Sequence, residues 1–145
     1  MNSRADEIAG RARSLIGTAY RPKGRSPLGL DCVGLAALAL AVPAAAVPRA
    51  YDRRTESYST LDRVLREHGF QTAGRTGFLP GDLLLFEVKF GQLHLGISTG
   101  LGFVHADAGL RRVVERPFPA PWPIAGIWRA ATPSKQERDS WPPSS

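Results

Sequence analysis

The spacing of apolar residues changes character near the middle of the chain. In the first half, apolar residues recur at intervals of three or four, which is typical of helices with one buried face. Three segments show this spacing: 3–16, 32–42 and 59–68. Each is followed by a residue that ends a helix: Gly17, Pro43 and Gly69. The buried face predicted for the first helix consists of Ile8, Ala12, Leu15 and Ile16. Ser3 followed by Asp6 is typical of a capping box at its start.

In the second half, short apolar runs separated by Gly or Pro predict strands. The candidate strands are 83–88, 93–99, 103–106, 110–115 and 125–130. Because helices come first and closely spaced strands follow, we expect an α+β fold with a mainly antiparallel sheet of about five strands. Residues 18–30 and 43–57 predict irregular connections. Residues 132–145 contain Pro, Ser and charged residues and predict a loose tail, so the folded domain should span residues 1–131.

Composition narrows the classes of function. The chain has 145 residues, 43% of them hydrophobic, which is enough for one domain with a single core. It carries 19 basic and 13 acidic residues, and the net charge of +6 suits anionic partners. The basic residues are scattered and are not interleaved with aromatic residues, which argues against nucleic acid as a partner. One cysteine excludes an intramolecular disulfide, and together with three widely spaced histidines it cannot supply the ligands of a zinc site.

The apolar and charged segments also bear on location. Residues 1–7 are charged, unlike a secretory signal peptide. The apolar stretch 33–47 is interrupted by Pro43 and is too short to span a bilayer. We therefore expect synthesis in the cytoplasm without a signal peptide, and no insertion into a membrane.

The candidate chemistry centres on Cys32, the single cysteine, which lies where a Pro- and Gly-rich loop gives way to a helix. Asp31 before it is a favoured N-cap residue. A thiol in the first helical turn faces unpaired backbone N–H groups and the positive end of the helix dipole, and both favour the thiolate. Cys32 is therefore a candidate nucleophile. The alternative is an ordinary core residue, since cysteines outside disulfides are often buried.

Two of the three histidines fall on adjacent predicted strands. If these strands form a hairpin about residues 100–101, residues in register sum to 201, which pairs Gly96 with His105. His94 and His105 are then diagonal neighbours on one face, about 7–8 Å apart, with Gly96 leaving room between them. A register shifted by one residue would place the rings on opposite faces. The third histidine, His68, lies at the end of a helix and fits a solvent-facing structural role.

Together these residues suit acyl transfer. Cys32 would be the nucleophile, His94 the base that takes its proton and later protonates the leaving group, and His105 the residue that orients His94. The backbone N–H of Cys32 would stabilise the oxyanion of the intermediate. Without Cys32 nearby, the two histidines would be half-exposed residues of a sheet.

The order of these motifs resembles that of the NlpC-type cell-wall peptidases, papain-like cysteine endopeptidases that cut the stem peptides of peptidoglycan. The resemblance extends from about Ala9 to Arg129, and the matching segments are 17–20, 31–35, 80–86, 94–97 and 103–106. It implies a papain-like fold with Cys32 as nucleophile, His94 as base and His105 as the third polar residue. It also implies that Tyr20 lines the same site, and it implies no cofactor.

The resemblance implies a substrate as well. Stem peptides carry free carboxylates, and the implied target is the γ-D-glutamyl–diamino acid bond. Arg21, Lys23 and Arg25 lie in the loop before the cysteine and would bind carboxylates, which arginine can grip with two hydrogen bonds. A solvated basic loop is the alternative. Asp31 is a further candidate for substrate binding, and its alternative role is the helix cap.

The sequence departs from the family pattern in two places. Val33 stands where a serine usually follows the cysteine, and residues 21–24 replace a common Trp-Gly-Gly. With the Pro-Gly-Asp at 80–82 and the ending 121–129, these features are most similar to compact versions carried in phage tails and gene-transfer particles. This subtype implies a tail-associated cell-wall hydrolase with tail-tip proteins as partners, delivered to the cell wall or periplasm by a tail-like particle. Two alternatives stay open: an amidase or acyltransferase that uses the same site, and a structural tail-tip or baseplate subunit with an unused site.

Three other side chains receive structural interpretations from the sequence, and a fourth lies close to the predicted site. Asp82, after Pro-Gly, is a candidate turn residue. Trp122 and Trp128 fit core or interface positions better than sugar-binding platforms. Asp107 lies two residues beyond His105, near the predicted site, and no role follows for it from the sequence.

Overall fold

The computed structural model of the protein describes residues 3–47, 54–74, 77–88 and 93–131, apart from the side chains of residues 3 and 54–57. Within these residues the helices are α1 (Ser3–Ser14), α2 (Cys32–Leu40), a short 3-10 helix (Ala44–Ala46) and α3 (Arg54–Glu67). The strands are β1 (Arg25–Ser26), β2 (Gly29–Leu30), β3 (Phe70–Thr72), β4 (Leu83–Glu87), β5 (Leu93–Ser98), β6 (Gly102–Asp107), β7 (Arg112–Pro117) and β8 (Ile124–Ala130).

Six strands form one antiparallel sheet in the order β3-β8-β4-β5-β6-β7, and β1 and β2 form a separate hairpin. Helices packed on an antiparallel sheet confirm the predicted α+β class. The sheet has one strand more than the five predicted, because β3 was not recognised. β3 has three residues, of which Gln71 and Thr72 are exposed, so its sequence shows too little apolar alternation to indicate a strand. It lies at the sheet edge, paired with β8.

One face of the sheet packs against the helices and forms the main core. From the sheet it contains Leu83, Leu85, Leu95, Ile97 and Val104, all fully buried. From the helices it contains Ile8 and Ala12 of α1, Leu35, Ala36 and Ala39 of α2, and Leu61, Val64 and Leu65 of α3. Seven of the nine residues of α2 are buried. This helix is apolar on nearly all sides because it lies in the centre of the core, and its small alanines allow close approach of its neighbours.

The opposite face of the sheet is also apolar, and side chains of the connecting segments pack over it. Leu84, Phe86, Phe103 and Ile127 form a second buried cluster on this face. Phe78 and Phe118 stack with ring centroids 4.3 Å apart, and with Trp122 they pack over it from the connecting segments. Burial on both faces explains why β4 has an unbroken apolar run rather than alternating apolar and polar residues.

The observed helix bounds differ from the predicted ones where the apolar spacing of the sequence does not mark the end of the helix. α3 begins at Arg54, five residues before Ser59, because its first residues are polar and show no apolar spacing. α1 ends at Ser14, so Ile16 lies in the turn that follows and is 42% exposed rather than buried with the helix face. α2 ends at Leu40 because Ala41 adopts a left-handed conformation with φ of 58°.

Some predictions fall on segments outside the described residues. They concern the tail 132–145, residues 48–53 of the connection after α2, and the side chain of Ser3 that a capping box would need. The segment 18–30, predicted to be a loop, contains the β1–β2 hairpin. Across the described ranges, no helix has the length and apolarity that crossing a membrane would require.

Candidate active site

The start of α2 is shaped by Asp31. Its backbone is extended and its Oδ1 accepts a hydrogen bond from the Gly34 N–H at 2.9 Å, which confirms the predicted N-cap. Cys32 is the first residue of the helix and is half-buried. Gly34 contacts the preceding loop so closely that a Cβ atom there would overlap the carbonyl oxygen of Gly24. The loop before the helix is therefore held against the turn that carries the thiol.

The same carboxylate also organises the loop. Asp31 Oδ1 accepts a hydrogen bond from Arg25 Nη1 at 2.6 Å, and its Oδ2 accepts one from the backbone N–H of Lys23 at 3.0 Å. Arg25 and Asp31 thus form a partly buried ion pair. Because each charge has a partner, both side chains are engaged in shaping the loop.

The two histidines meet as the hairpin register requires. β5 and β6 pair Ile97 with Val104 and Ser98 with Phe103, and both pairs sum to 201, as predicted. Nε2 of His94 lies 2.9 Å from Nδ1 of His105, with the ring planes 88° apart. This is a direct hydrogen bond, in which one nitrogen donates and the other accepts.

The space beside Gly96 is used differently from the prediction. The sequence indicated that Gly96 leaves room between the two imidazoles. A Cβ atom at Gly96 would instead lie 3.1 Å from the ring of Phe86 and 3.2 Å from that of Phe103. The glycine therefore makes room for the phenyl rings on which the histidines rest, since each imidazole packs beside one of them.

The candidate residues converge on one cavity of about 360 Å³. It lies where β4 ends, β5 begins, β6 ends and α2 begins. Tyr20, Cys32, His94 and His105 line it together. The remaining lining residues are Val88, Leu93, Ala106, Asp107, Ala108, Gly109 and Trp122. A thiol and two linked imidazoles thus open on the same space, which is the arrangement that nucleophilic acyl transfer needs.

Burial keeps both imidazoles neutral near pH 7. The pKa of His94 is lowered from 6.5 to about 4, first by burial and then by His105. Burial also lowers the pKa of His105 to about 4, with Asp107 acting in the opposite direction and Arg116 adding to the decrease. Because Nε2 of His94 is bonded to His105, Nδ1 is the ring nitrogen that remains to accept a proton from another group.

Tyr20 contributes a phenol to the cavity wall. Its pKa is raised above 10, first by burial and then by the nearby Cys32 and Asp31. The hydroxyl is therefore protonated at neutral pH and available as a hydrogen-bond donor.

The other candidates adjoin the cavity without lining it: Asp31 precedes Cys32 in the chain, and Arg21 follows Tyr20. Asp31, Arg21 and Arg25 are not among the described residues that line it. Arg21 is exposed on the loop beside Tyr20. Their assignment to substrate binding stays a prediction, and the geometry gives Asp31 and Arg25 a structural role in addition. His68 is half-buried beyond α3, where its Nδ1 lies 2.8 Å from the carbonyl oxygen of Val64, so it does not simply face solvent.

Trp122 was missed as a residue of the cavity. Its ring lies edge-on to His94 and His105, with centroid distances of 5.4 and 5.6 Å. The segment 118–122 packs across the second face of the sheet and brings Trp122 to the cavity. This position depends on contacts with distant strands, so the local sequence does not indicate it. Asp107 also lines the cavity. The sequence placed it near the predicted site, two residues beyond His105 on the same strand face, and gave it no role.

The structure confirms the structural interpretations of Asp82 and Trp128. Asp82 accepts a hydrogen bond from the Leu79 N–H at 2.9 Å, as expected of a turn residue, and Arg129 holds the fully buried carboxylate with two further bonds. Trp128 is fully buried in the core and donates to Asp62 at 2.9 Å. Within the described segments, no three His, Cys, Asp or Glu side chains are grouped so that they could hold a metal ion.

Solved structures similar to this fold include NlpC2 from Trichomonas vaginalis, with a TM-score of 0.65 and 23% identity, over 90% of this chain and 47% of that one. The peptidoglycan hydrolase RipB from Mycobacterium tuberculosis has a TM-score of 0.64 and 19% identity, over 90% and 66%. RipD from the same organism, a non-catalytic NlpC/p60 domain protein adapted to peptidoglycan binding, has a TM-score of 0.57 and 16% identity, over 91% and 100%. The chain thus spans about half the length of NlpC2 and two thirds of RipB. At these identities the likeness shows the fold alone.

Sequence comparison identifies the family. No curated protein sequence matches the chain. The model of the NlpC/P60 family, however, matches residues 17–122, which include the segments that carry Tyr20, Cys32, His94 and His105. The match covers more than two thirds of the 145 residues and agrees with the fold. The chain with this thiol and histidine pair therefore belongs to the NlpC/P60 family.

Proposed function

We propose that the chain is a cysteine endopeptidase that hydrolyses γ-D-glutamyl–diamino acid bonds in peptidoglycan stem peptides. The observation that carries the proposal is the convergence of Cys32, at the positive end of α2, and the hydrogen-bonded His94–His105 pair on one cavity. Family membership supports the substrate class, since the similar RipB is a peptidoglycan hydrolase.

In the proposed mechanism His94 acts through Nδ1. It takes the proton from Cys32 Sγ as the sulfur attacks the carbonyl carbon of the scissile bond. The backbone N–H of Cys32, at the start of the helix, donates to the oxyanion of the intermediate. His94 then gives its proton to the leaving amine, which leaves a thioester. Water, deprotonated by His94, hydrolyses the thioester and restores the thiol, while His105 holds the ring of His94 in place.

Three further residues have proposed roles at the substrate. The protonated phenol of Tyr20 lines the cavity and is suited to donate to a substrate carbonyl or carboxylate. Arg21 is exposed on the adjacent loop and is suited to bind a stem-peptide carboxylate. Arg25 is held by Asp31, so we propose that this pair acts on the substrate by fixing the shape of the loop.

Digestion of purified peptidoglycan tests the proposal. The wild-type chain should release peptide fragments with a new amino terminus on the diamino acid, identified by mass spectrometry, and Cys32→Ala should release none. Ser14→Ala, which makes a similar truncation at an exposed position on α1, is the matched control and should behave as wild type. Fragments that are identical with and without the thiol would contradict the proposal.

The same experiment separates the alternatives. Release of whole stem peptides from the glycan would indicate an amidase that uses the same site. Peptidoglycan binding without any released fragment would indicate a non-catalytic role, as in RipD, or a structural subunit.

We also propose that the chain acts as a tail-associated hydrolase delivered by a tail-like particle. Support comes from the sequence features at 80–82 and 121–129 that resemble the compact tail-borne versions. Mass spectrometry of particles purified from a producing culture should find the chain in stoichiometric amounts with tail-tip proteins. Its absence from such particles would contradict this route of delivery.

A further inference from the structure

One ring nitrogen of His105, Nε2, has no role in the proposed mechanism. Nδ1 is bonded to His94, but Nε2 is buried and has no hydrogen-bond partner within the described part of the chain. The side chain of His105 is only 2% exposed, so bulk water does not reach it. Leaving a buried polar atom without a partner destabilises a fold, because the atom loses its hydrogen bonds to water and gains none in return. Native proteins seldom contain such an atom without a reason.

The carboxylate of Asp107 faces this nitrogen. Oδ2 lies 3.9 Å from Nε2, and the Asp107 side chain is 20% exposed. Oδ1 accepts a hydrogen bond from the Leu110 N–H at 2.9 Å, which anchors the carboxylate in the β6–β7 turn. The remaining gap exceeds a hydrogen bond by about 1 Å. Hydrogen bonds of this kind are often long before substrate binds and shorten in the reacting complex.

We propose that Asp107 is a positioning residue that sets the tautomers of both histidines, an inference that rests on the proposed function. Asp107 accepts from Nε2–H of His105, so Nδ1 of His105 carries no proton and accepts from Nε2–H of His94. Nδ1 of His94 is then unprotonated, which is the form that can take the proton of Cys32. The opposite tautomers would place a proton on Nδ1 of His94 and prevent this transfer.

The charges around His105 agree with this role. His94 faces it from β5, Asp107 from its own strand and Arg116 from β7. Asp107 raises the pKa of both rings, whereas Arg116 lowers that of His105 and the adjacent imidazole lowers that of His94. When His94 takes the thiol proton, the pair gains one positive charge, and the carboxylate stabilises it.

The tautomers can be measured directly by 15N NMR of the imidazole rings, without substrate. The whole chain has three histidines, and His68→Gln removes the signal that does not belong to the pair. At pH 7.5 we expect His94 and His105 of the wild type both to carry the proton on Nε2. Asp107→Asn preserves an oxygen for the Leu110 N–H but presents an amide N–H to Nε2 of His105, so His105 should switch to the Nδ1–H form.

Activity provides the second readout. Loss of the carboxylate that orients a catalytic histidine directly can cost about 10⁴ in kcat. Asp107 acts through one further ring, so we expect Asp107→Asn to lower kcat by about 10- to 100-fold with little change in KM. Glu115→Gln is the matched control. It makes the same change of charge on β7, where Glu115 binds Thr99 and Arg13 outside the cavity, and it should change neither the tautomers nor kcat.

The outcomes are distinct. A wild-type His105 protonated on Nδ1 would overturn the proposal, whether or not the variants fold. Unchanged tautomers and unchanged kcat in a folded Asp107→Asn would overturn it too. A tautomer switch in a chain that does not cleave peptidoglycan would support the positioning role and reject the proposed peptidase function.

Discussion

The buried histidine pair should make the fold sensitive to acid. In the fold, the pKa of His94 and of His105 is about 4, whereas both are about 6.5 in the unfolded chain. As the pH falls below 6.5, the unfolded chain takes up protons that the folded chain does not, so the free energy of unfolding decreases. The stability contributed by the neutral rings is fully present above pH 6.5 and is lost as the pH falls towards 4.

The size of the effect follows from these values. A ring whose pKa changes from 6.5 to about 4 on folding should lower the free energy of unfolding by about 2 kcal/mol between pH 7 and pH 5. For the two rings together, the free energy of unfolding should therefore decrease by about 2–4 kcal/mol. The typical free energy of unfolding of a domain is about 5–15 kcal/mol, so this is a large fraction of it.

Urea denaturation at pH 7, 6 and 5, followed by tryptophan fluorescence, measures this loss. The reference is the double variant His94→Gln, His105→Gln, which keeps all carboxylates and His68, so their contributions cancel in the comparison. We expect the wild type to lose about 2–4 kcal/mol more than the double variant on going from pH 7 to pH 5. Parallel pH dependence in the two proteins would refute the argument that burial depresses the pKa of these rings.

Substitutions at three further positions test the contacts that hold the fold and the loop before α2 in place. Arg129→Ala leaves the buried Asp82 carboxylate without its guanidinium partner. The free energy of unfolding, measured by urea denaturation, should decrease by about 3–5 kcal/mol. An unchanged free energy of unfolding would contradict the view that Asp82 depends on this partner. Gly34→Ala should destabilise the fold and lower kcat, because its Cβ overlaps the Gly24 carbonyl oxygen; unchanged melting would contradict this. Asp31→Ala removes the cap of α2 and should lower stability by about 1–2 kcal/mol, as measured by thermal melting, whereas Asp31→Asn should retain most of it.

Elements with a strong local pattern were predictable from the order of residues alone. Apolar spacing was sufficient to find the three α-helices and the five longer strands of the described residues, because burial of one face imposes a period on the sequence. The short connection at 100–101 was sufficient to set the register that brings His94 beside His105, because a tight hairpin leaves few ways to pair its strands. Asp31 was recognisable as a cap because capping depends on neighbouring residues alone.

Features that depend on contacts between distant segments could not be predicted before the folded arrangement was known. Trp122 reaches the histidines from 17 residues beyond His105, and no local pattern encodes that approach. β3 exists because β8 offers it an edge to pair with, and its own three residues show no strand pattern. The engagement of Arg25 by Asp31 and the unpartnered Nε2 of His105 depend on side-chain geometry. Sequence periodicity reports which face of an element is buried, whereas the partner of each polar atom is determined only when the elements pack together.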